Sequence, residues 1–198
     1  MAVQNLLLLG DSILDNGPYT HPEPDTTAHL ARLLASDWSV ERLAQDGATM
    51  RGLPRQLEVL DYRPDVAVLS IGGNDLVPYI AIIERPATSA AEVLAELLAI
   101  ADGFSLQYEI AARSVMERAT RTVLCTIYEV PLQPPMAGKL ARVPLGLVND
   151  RILRIGAELG LEVLELRRVC TEEEDFVLEI EPSAQGAEKI ARAIAGVL

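Results

Sequence analysis

The apolar positions of this chain gather into short continuous runs: Asn5 to Leu9, Ser39 to Leu43, Val66 to Ser70, Thr122 to Ile127 and Leu161 to Leu164. Runs this short, dense in leucine and valine, suit strands buried on both faces, and the stretches between them are long enough for crossover helices. Asp25 to Ala35 carries apolar groups at helical spacing behind Asp25 as N-cap, which turns Leu30, Leu33 and Leu34 toward the sheet. Leu53, Leu57 and Leu60 predict a further helix, and Ser89 to Ala119 a long one with Gly103 as an interruption. The proline-rich stretch Glu129 to Pro144, which also holds Gly138, predicts an irregular excursion that shapes a pocket rim. Helix resumes from Val148 to Leu159 and stops at Gly160; a terminal helix starts at Pro182 or Ser183, with Ile190 and Ile194 on its apolar face. The alternation predicts a three-layer α/β/α sandwich around a mostly parallel five-stranded sheet, with residues 1–198 as a single domain.

Charge narrows the range of partners. A formal net charge of -12 opposes attraction to nucleic-acid phosphates or anionic bilayers, and the scattered Trp38, Tyr79, Tyr108 and Tyr128 form no stacking platform. The four leucines before Gly10 are too short for a membrane span or a secretory core, so the expectation is a cytoplasmic protein with no membrane insertion. Cys125 and Cys170 are expected as free thiols. His21 and His29 are eight residues apart with no close cysteine pair, so no metal site is expected. Neither the P-loop unit nor the glycine spacing of a dinucleotide turn is present, and no cofactor is expected. The sequence leaves the oligomeric state open.

Candidate chemistry sits where strands end. Gly10-Asp11-Ser12 follows the first apolar run, and a tight turn there presents Ser12 at the sheet edge as a nucleophile; Gly47 and Asn74 follow two further strands. A serine attacking a carbonyl needs donors for the oxygen that becomes negative, and the backbone N–H groups of Ser12 and Gly47 and the Asn74 amide are suitable types. Taken one at a time, each has a bland alternative: Ser12 as a helix cap, Gly47 as a turn former, Asn74 as a loop brace. Asp11, Asp15 and Asn16 read as braces of the turn, and Asp75 as a brace of the Asn74 loop.

The blocks Gly10-Asp11-Ser12-Ile13-Leu14-Asp15-Asn16, Asp46-Gly47-Ala48 and Ile71-Gly72-Gly73-Asn74-Asp75 resemble, in order and spacing, the first three sequence blocks of the SGNH, or GDSL-type, hydrolases. The resemblance implies a flavodoxin-like α/β/α domain with Ser12 as nucleophile and with Ser12, Gly47 and Asn74 as the oxyanion hole. It also implies activity on esters, either acyl esters of lipids or acetyl esters of carbohydrates. The family's fourth block is Asp-x-x-His just before the terminal helix. Here that stretch is Leu178-Glu179-Ile180-Glu181, followed by the family-like Pro182-Ser183, so the chain resembles a divergent branch with Glu181 at the usual histidine position.

An ordinary carboxylate is a poorer base than imidazole, although burial raises its pKa. Asp175 or Glu179 is a candidate to orient Glu181 through a shared proton or water; the equal alternative is three exposed carboxylates with no coupling. His21, in Tyr19-Thr20-His21-Pro22, is the alternative base if that loop folds back over the pocket, and otherwise a surface histidine; His29 falls within a helix where packing or solvent explains it. The leading function is serine-dependent hydrolysis of a small or modestly hydrophobic carboxylic ester through an acyl-serine intermediate, slow or with an atypical base. The competing one is a non-catalytic scaffold that binds a polar acyl or sugar-like ligand.

Overall fold

The computed structural model describes residues 3–83 and 85–198; Met1 and Ala2, part of the N-terminal segment considered above, lie outside them. In chain order the elements are β1 (Gln4–Gly10), α1 (Gly17–Thr20), α2 (Thr26–Leu34), β2 (Trp38–Arg42), α3 (Leu53–Glu58), β3 (Val66–Ser70) and α4 (Gly73–Leu76). A 3₁₀ turn, Val77–Ile83, leads on to α5 (Ala90–Arg118), β4 (Arg121–Cys125), α6 (Pro135–Leu159), β5 (Glu162–Leu164), β6 (Phe176–Val177), β7 (Glu181–Pro182) and α7 (Ala184–Ala195).

The first five strands make one parallel sheet in the order β2-β1-β3-β4-β5. In this order the connections reverse direction beside β1, and a crevice opens there at the carboxyl ends of β1 and β3. Successive β1 side chains point to opposite faces. Leu7 and Leu9 pack with Leu53, Tyr108 and Ile152 from α3, α5 and α6, whereas Leu6 and Leu8 pack with Leu30, Ile190 and Ile194 from α2 and α7. Leu6 to Leu9 are fully buried, at about 1.5–3 kcal/mol of transfer free energy each, so the nucleophile candidate follows one of the most firmly seated strands.

The elements match the expected pattern with four differences. Asp25 caps α2 as read, accepting from the Ala28 N–H at 2.7 Å, but Leu33 is exposed and only Leu30 and Leu34 pack against the core. Gly103 does not interrupt α5, which runs unbroken past it. Residues 135–144 are helical rather than irregular: Pro135 stands at the helix start, where its missing N–H is no loss, and Pro144 is carried within α6. Only the stretch before Pro135 is irregular. The sequence pattern also gave no sign of the antiparallel pair β6–β7, whose strands are two residues each. Cys125 and Cys170 are free and buried.

Candidate active site

The turn after β1 depends on glycine. Gly10 has φ 126°, and a Cβ there would lie 1.7 Å from the Ser70 carbonyl oxygen, so no side chain fits. The Asp11 N–H donates to Ser70 O at 3.1 Å, bending the chain across the end of β3. Gln56, buried on α3, grips Gly10 at both ends: the Gly10 N–H donates to Gln56 Oε1 at 2.9 Å, and Gln56 Nε2 donates to Gly10 O at 2.7 Å. Ser12 follows directly, 8% exposed. Asn149 makes a matching clamp at the end of β4, accepting from the Ile127 N–H and donating to Ile127 O, both at 2.8 Å. The sequence reading passed over both amides; the available signal was a lone amide inside an otherwise apolar helical face.

Asn74, on α4, and the turn around Gly47 are tied together. Asn74 Nδ2 donates to Ala48 O at 2.9 Å, and the Met50 N–H donates to Asp75 Oδ2 at 3.0 Å. On the other side the Asp46 N–H donates to Asp15 Oδ2 at 2.8 Å, and Tyr19 Oη donates to Asp46 Oδ2 at 2.7 Å. Asp15 is also paired with Arg42 at 2.9 Å, and Asn16 bonds both the side chain and the backbone of Thr26. Asp15, Asn16 and Asp75 therefore act as the braces the sequence suggested. Gly47 itself is exposed with φ 72°, and among the described residues neither its N–H nor that of Ser12 donates to a protein acceptor.

Glu181 arrives on β7. Between β6 and β7 the chain turns through Leu178 and Glu179, both at positive φ (50° and 71°), an uncommon conformation for residues with side chains. Tyr128 Oη donates to Ile180 O at 2.8 Å and its ring meets Phe176 edge-on at 5.0 Å, which holds the hairpin against the sheet. Asp175 anchors the other side, accepting from the Thr171 and Glu172 N–H groups, Gln185 Nε2 and Lys189 Nζ, all at 2.8–3.0 Å. With these donors Asp175 is committed to structure, and Glu179 is exposed; among the described residues neither is hydrogen-bonded to Glu181, which favours the reading without direct coupling, although Asp175 is buried rather than exposed.

Ser12, Asn74, Asp11 and Glu181 line one cleft of about 180 Å³. Burial pushes the Glu181 carboxyl above its ordinary pKa, the neighbouring Ser12 hydroxyl offsets part of that, and the charge of Asp46 adds to it. Glu181 Oε2 is buried without a hydrogen-bond partner among the described residues. Burial is also the main reason Asp11 is pushed up to about 8; the Ile13 N–H opposes the rise, and the charges of Glu181 and Asp75 reinforce it. His21 is exposed after α1 and lines no part of this cleft, so the loop does not fold back as the alternative-base reading required. His29 lies half-buried on α2. Among the described residues no cluster of side chains suits a metal ion, and no helix is long and apolar enough to cross a membrane.

The chain matches the GDSL-like Lipase/Acylhydrolase family over residues 8–189. Comparison with curated proteins gives no match. Among solved structures it is similar to an extracellular lipase from Streptomyces rimosus (TM-score 0.73, 15% identity, 99% of this chain and 100% of that one). It is similar also to phospholipase A1 from Streptomyces albidoflavus (0.74, 14%, 98% and 99%). A third is Axe2, an acetylxylan esterase from Geobacillus stearothermophilus (0.70, 19%, 98% and 93%). The first of these corrects the cytoplasmic expectation: the same fold over the same length belongs to an extracellular enzyme, and a short apolar run at the N-terminus does not assign a compartment.

Proposed function

The chain belongs to the GDSL-like lipase/acylhydrolase family and is an ester hydrolase of the esterase/lipase type; from that premise we propose that it works through an acyl-serine intermediate on Ser12, with Glu181 as the base. The observation that carries this reading is the meeting of Ser12, Asn74 and Glu181 in one cleft, with Glu181 Oε2 buried and unpartnered.

In this reading Glu181 accepts the Ser12 proton as Oγ bonds to the carbonyl carbon. The oxygen that becomes negative takes hydrogen bonds from the unengaged N–H groups of Ser12 and Gly47. Asn74 adds the second hydrogen of its amide, the first being held by Ala48 O. Return of the proton from Glu181 to the departing alkoxide breaks the ester bond, and water activated by the same carboxylate releases the acid. A histidine base needs a partner to fix its tautomer, but a carboxylate has no tautomer to fix. The engagement of Asp175 elsewhere is therefore compatible with a two-residue Ser12–Glu181 unit. Desolvation brings the Glu181 pKa nearer neutrality, where a base is more effective, and acid–base assistance of this kind is typically worth about 10²–10⁴ in rate.

The test is intact-protein mass spectrometry during turnover of an activated ester. A mass increase equal to the acyl group, found in the wild type and missing from Ser12→Ala, is the expected result. Equal ester turnover by both proteins would overturn the assignment of Ser12.

A further inference from the structure

The cleft is charged and polar where Asp11, Ser12, Asn74 and Glu181 meet at the strand ends; beyond them its walls are mostly aliphatic, joined by Tyr79 and by Tyr128, whose hydroxyl is engaged with Ile180 O. Leu97, Ile100 and Ala101 come from α5, Leu145 and Val148 from α6, and Ile127 from the end of β4. These side chains form the apolar part of the same cleft of about 180 Å³ that Ser12 lines. An acetyl group places a single methyl there and leaves the aliphatic wall uncovered. A sugar in this space would bury most of its hydroxyls against aliphatic side chains, which is unfavourable.

We propose that the space between α5 and α6 receives the acyl chain of the ester and selects medium-chain acids over acetate, with Ala101 setting how much chain it accepts. The proposal rests on the reading of Ser12 as nucleophile, because it puts the carbonyl carbon beside Ser12 and the alkyl tail along α5. The aliphatic lining comes from two helices and a strand end, more surface than a methyl group can cover, so the best substrates carry medium-chain acids rather than acetate. Each buried methylene is worth about fourfold in kcat/KM. Ala101 is the smallest side chain that α5 contributes to the wall, and it is 2% exposed, so a larger group there enters the space rather than the solvent.

The experiment measures kcat/KM on p-nitrophenyl esters from acetate to dodecanoate, for the wild type, Ala101→Leu and Ala141→Leu. Ala141 lines the cleft from α6, and thermal unfolding reports whether either variant folds. The expected wild-type series climbs about fourfold per methylene from acetate into the medium-chain acids and then levels or falls. Ala101→Leu, or Ala141→Leu should the first not fold, lowers the octanoate-to-acetate ratio at least tenfold. A Ser12-dependent series that is flat or falls from acetate upward overturns the acyl-chain proposal and leaves the serine mechanism intact. If no ester is turned over, the serine mechanism fails, and calorimetric titration with acetamide, hexanamide and octanamide decides the pocket by itself. Affinity that rises with chain length upholds it, and equal or undetectable binding of all three overturns it.

Discussion

The Asn74 side chain donates to the Ala48 carbonyl at 2.9 Å, fastening the amide on α4 to the turn that carries Gly47. The bond uses one of two amide hydrogens, so Asn74 both fixes the Gly47 turn and keeps a donor for the cleft.

Asn74→Ala removes both contributions. An oxyanion donor is worth about 10²–10³ in kcat, whereas a single neutral hydrogen bond contributes about 1 kcal/mol to stability. The expected result is therefore a loss of kcat of at least a hundredfold with KM changed far less and Tm lowered by only a few degrees, measured by steady-state kinetics and thermal unfolding of the same sample.

Gln56 supports the nucleophile turn from beneath without reaching the cleft. Gln56→Leu leaves the Gly10 N–H without a partner in a buried setting, at a cost of about 1–3 kcal/mol, while Gly10 O keeps the Gln45 N–H at 3.0 Å. Denaturant unfolding should show a loss of about 1–3 kcal/mol, and kcat should fall as the Ser12 turn loosens. Asn149→Leu, which breaks the equivalent clamp at Ile127, should cost a similar amount.

Asp11 gives the fold a pH dependence of definite sign. Its carboxyl titrates at about 8 when folded and near 3.8 when unfolded, so between those values the folded state holds a proton that the unfolded state has released. The stabilisation from this group is complete below about pH 4 and is lost as pH rises through about 8. At about 1.4 kcal/mol per pKa unit, its full extent is at most about 6 kcal/mol. Asp11→Asn keeps a neutral acceptor for the Ile13 N–H. Chemical denaturation at pH 5 and pH 9 should show a smaller loss of stability in the variant than in the wild type. Equal losses in the two proteins would contradict the burial account.

The strands and most helices were legible because they rest on local pattern: continuous apolar runs for β1 and β3, an Asp25 cap, apolar positions three and four apart in α7. The stretch before Pro144 misled because proline was weighed without its position; at the first turn of a helix Pro135 is well suited. The β6–β7 hairpin was invisible since it is held from outside its own sequence, by Tyr128 and by the donors converging on Asp175. For the same reason the engagement of Asp175 away from Glu181 could not be read. Ser12, Gly47 and Asn74 could be named as candidates because each lies a few residues after a strand, whereas the buried clamps Gln56 and Asn149 depend on tertiary contact alone.

The pairing of Ser12 with Glu181 is tested most directly by the pH dependence of kcat/KM for the wild type and Glu181→Gln on one ester. Since burial raises the Glu181 pKa, its basic form is populated at higher pH than that of an exposed glutamate, and the wild-type rate should climb through an inflection displaced upward. The limb belongs jointly to Glu181 and Asp11, whose charges act on each other, and the variant isolates the contribution of Glu181. The account predicts that Glu181→Gln loses this limb and about 10²–10⁴ of the rate while remaining folded. A variant that keeps the wild-type limb and rate would contradict it.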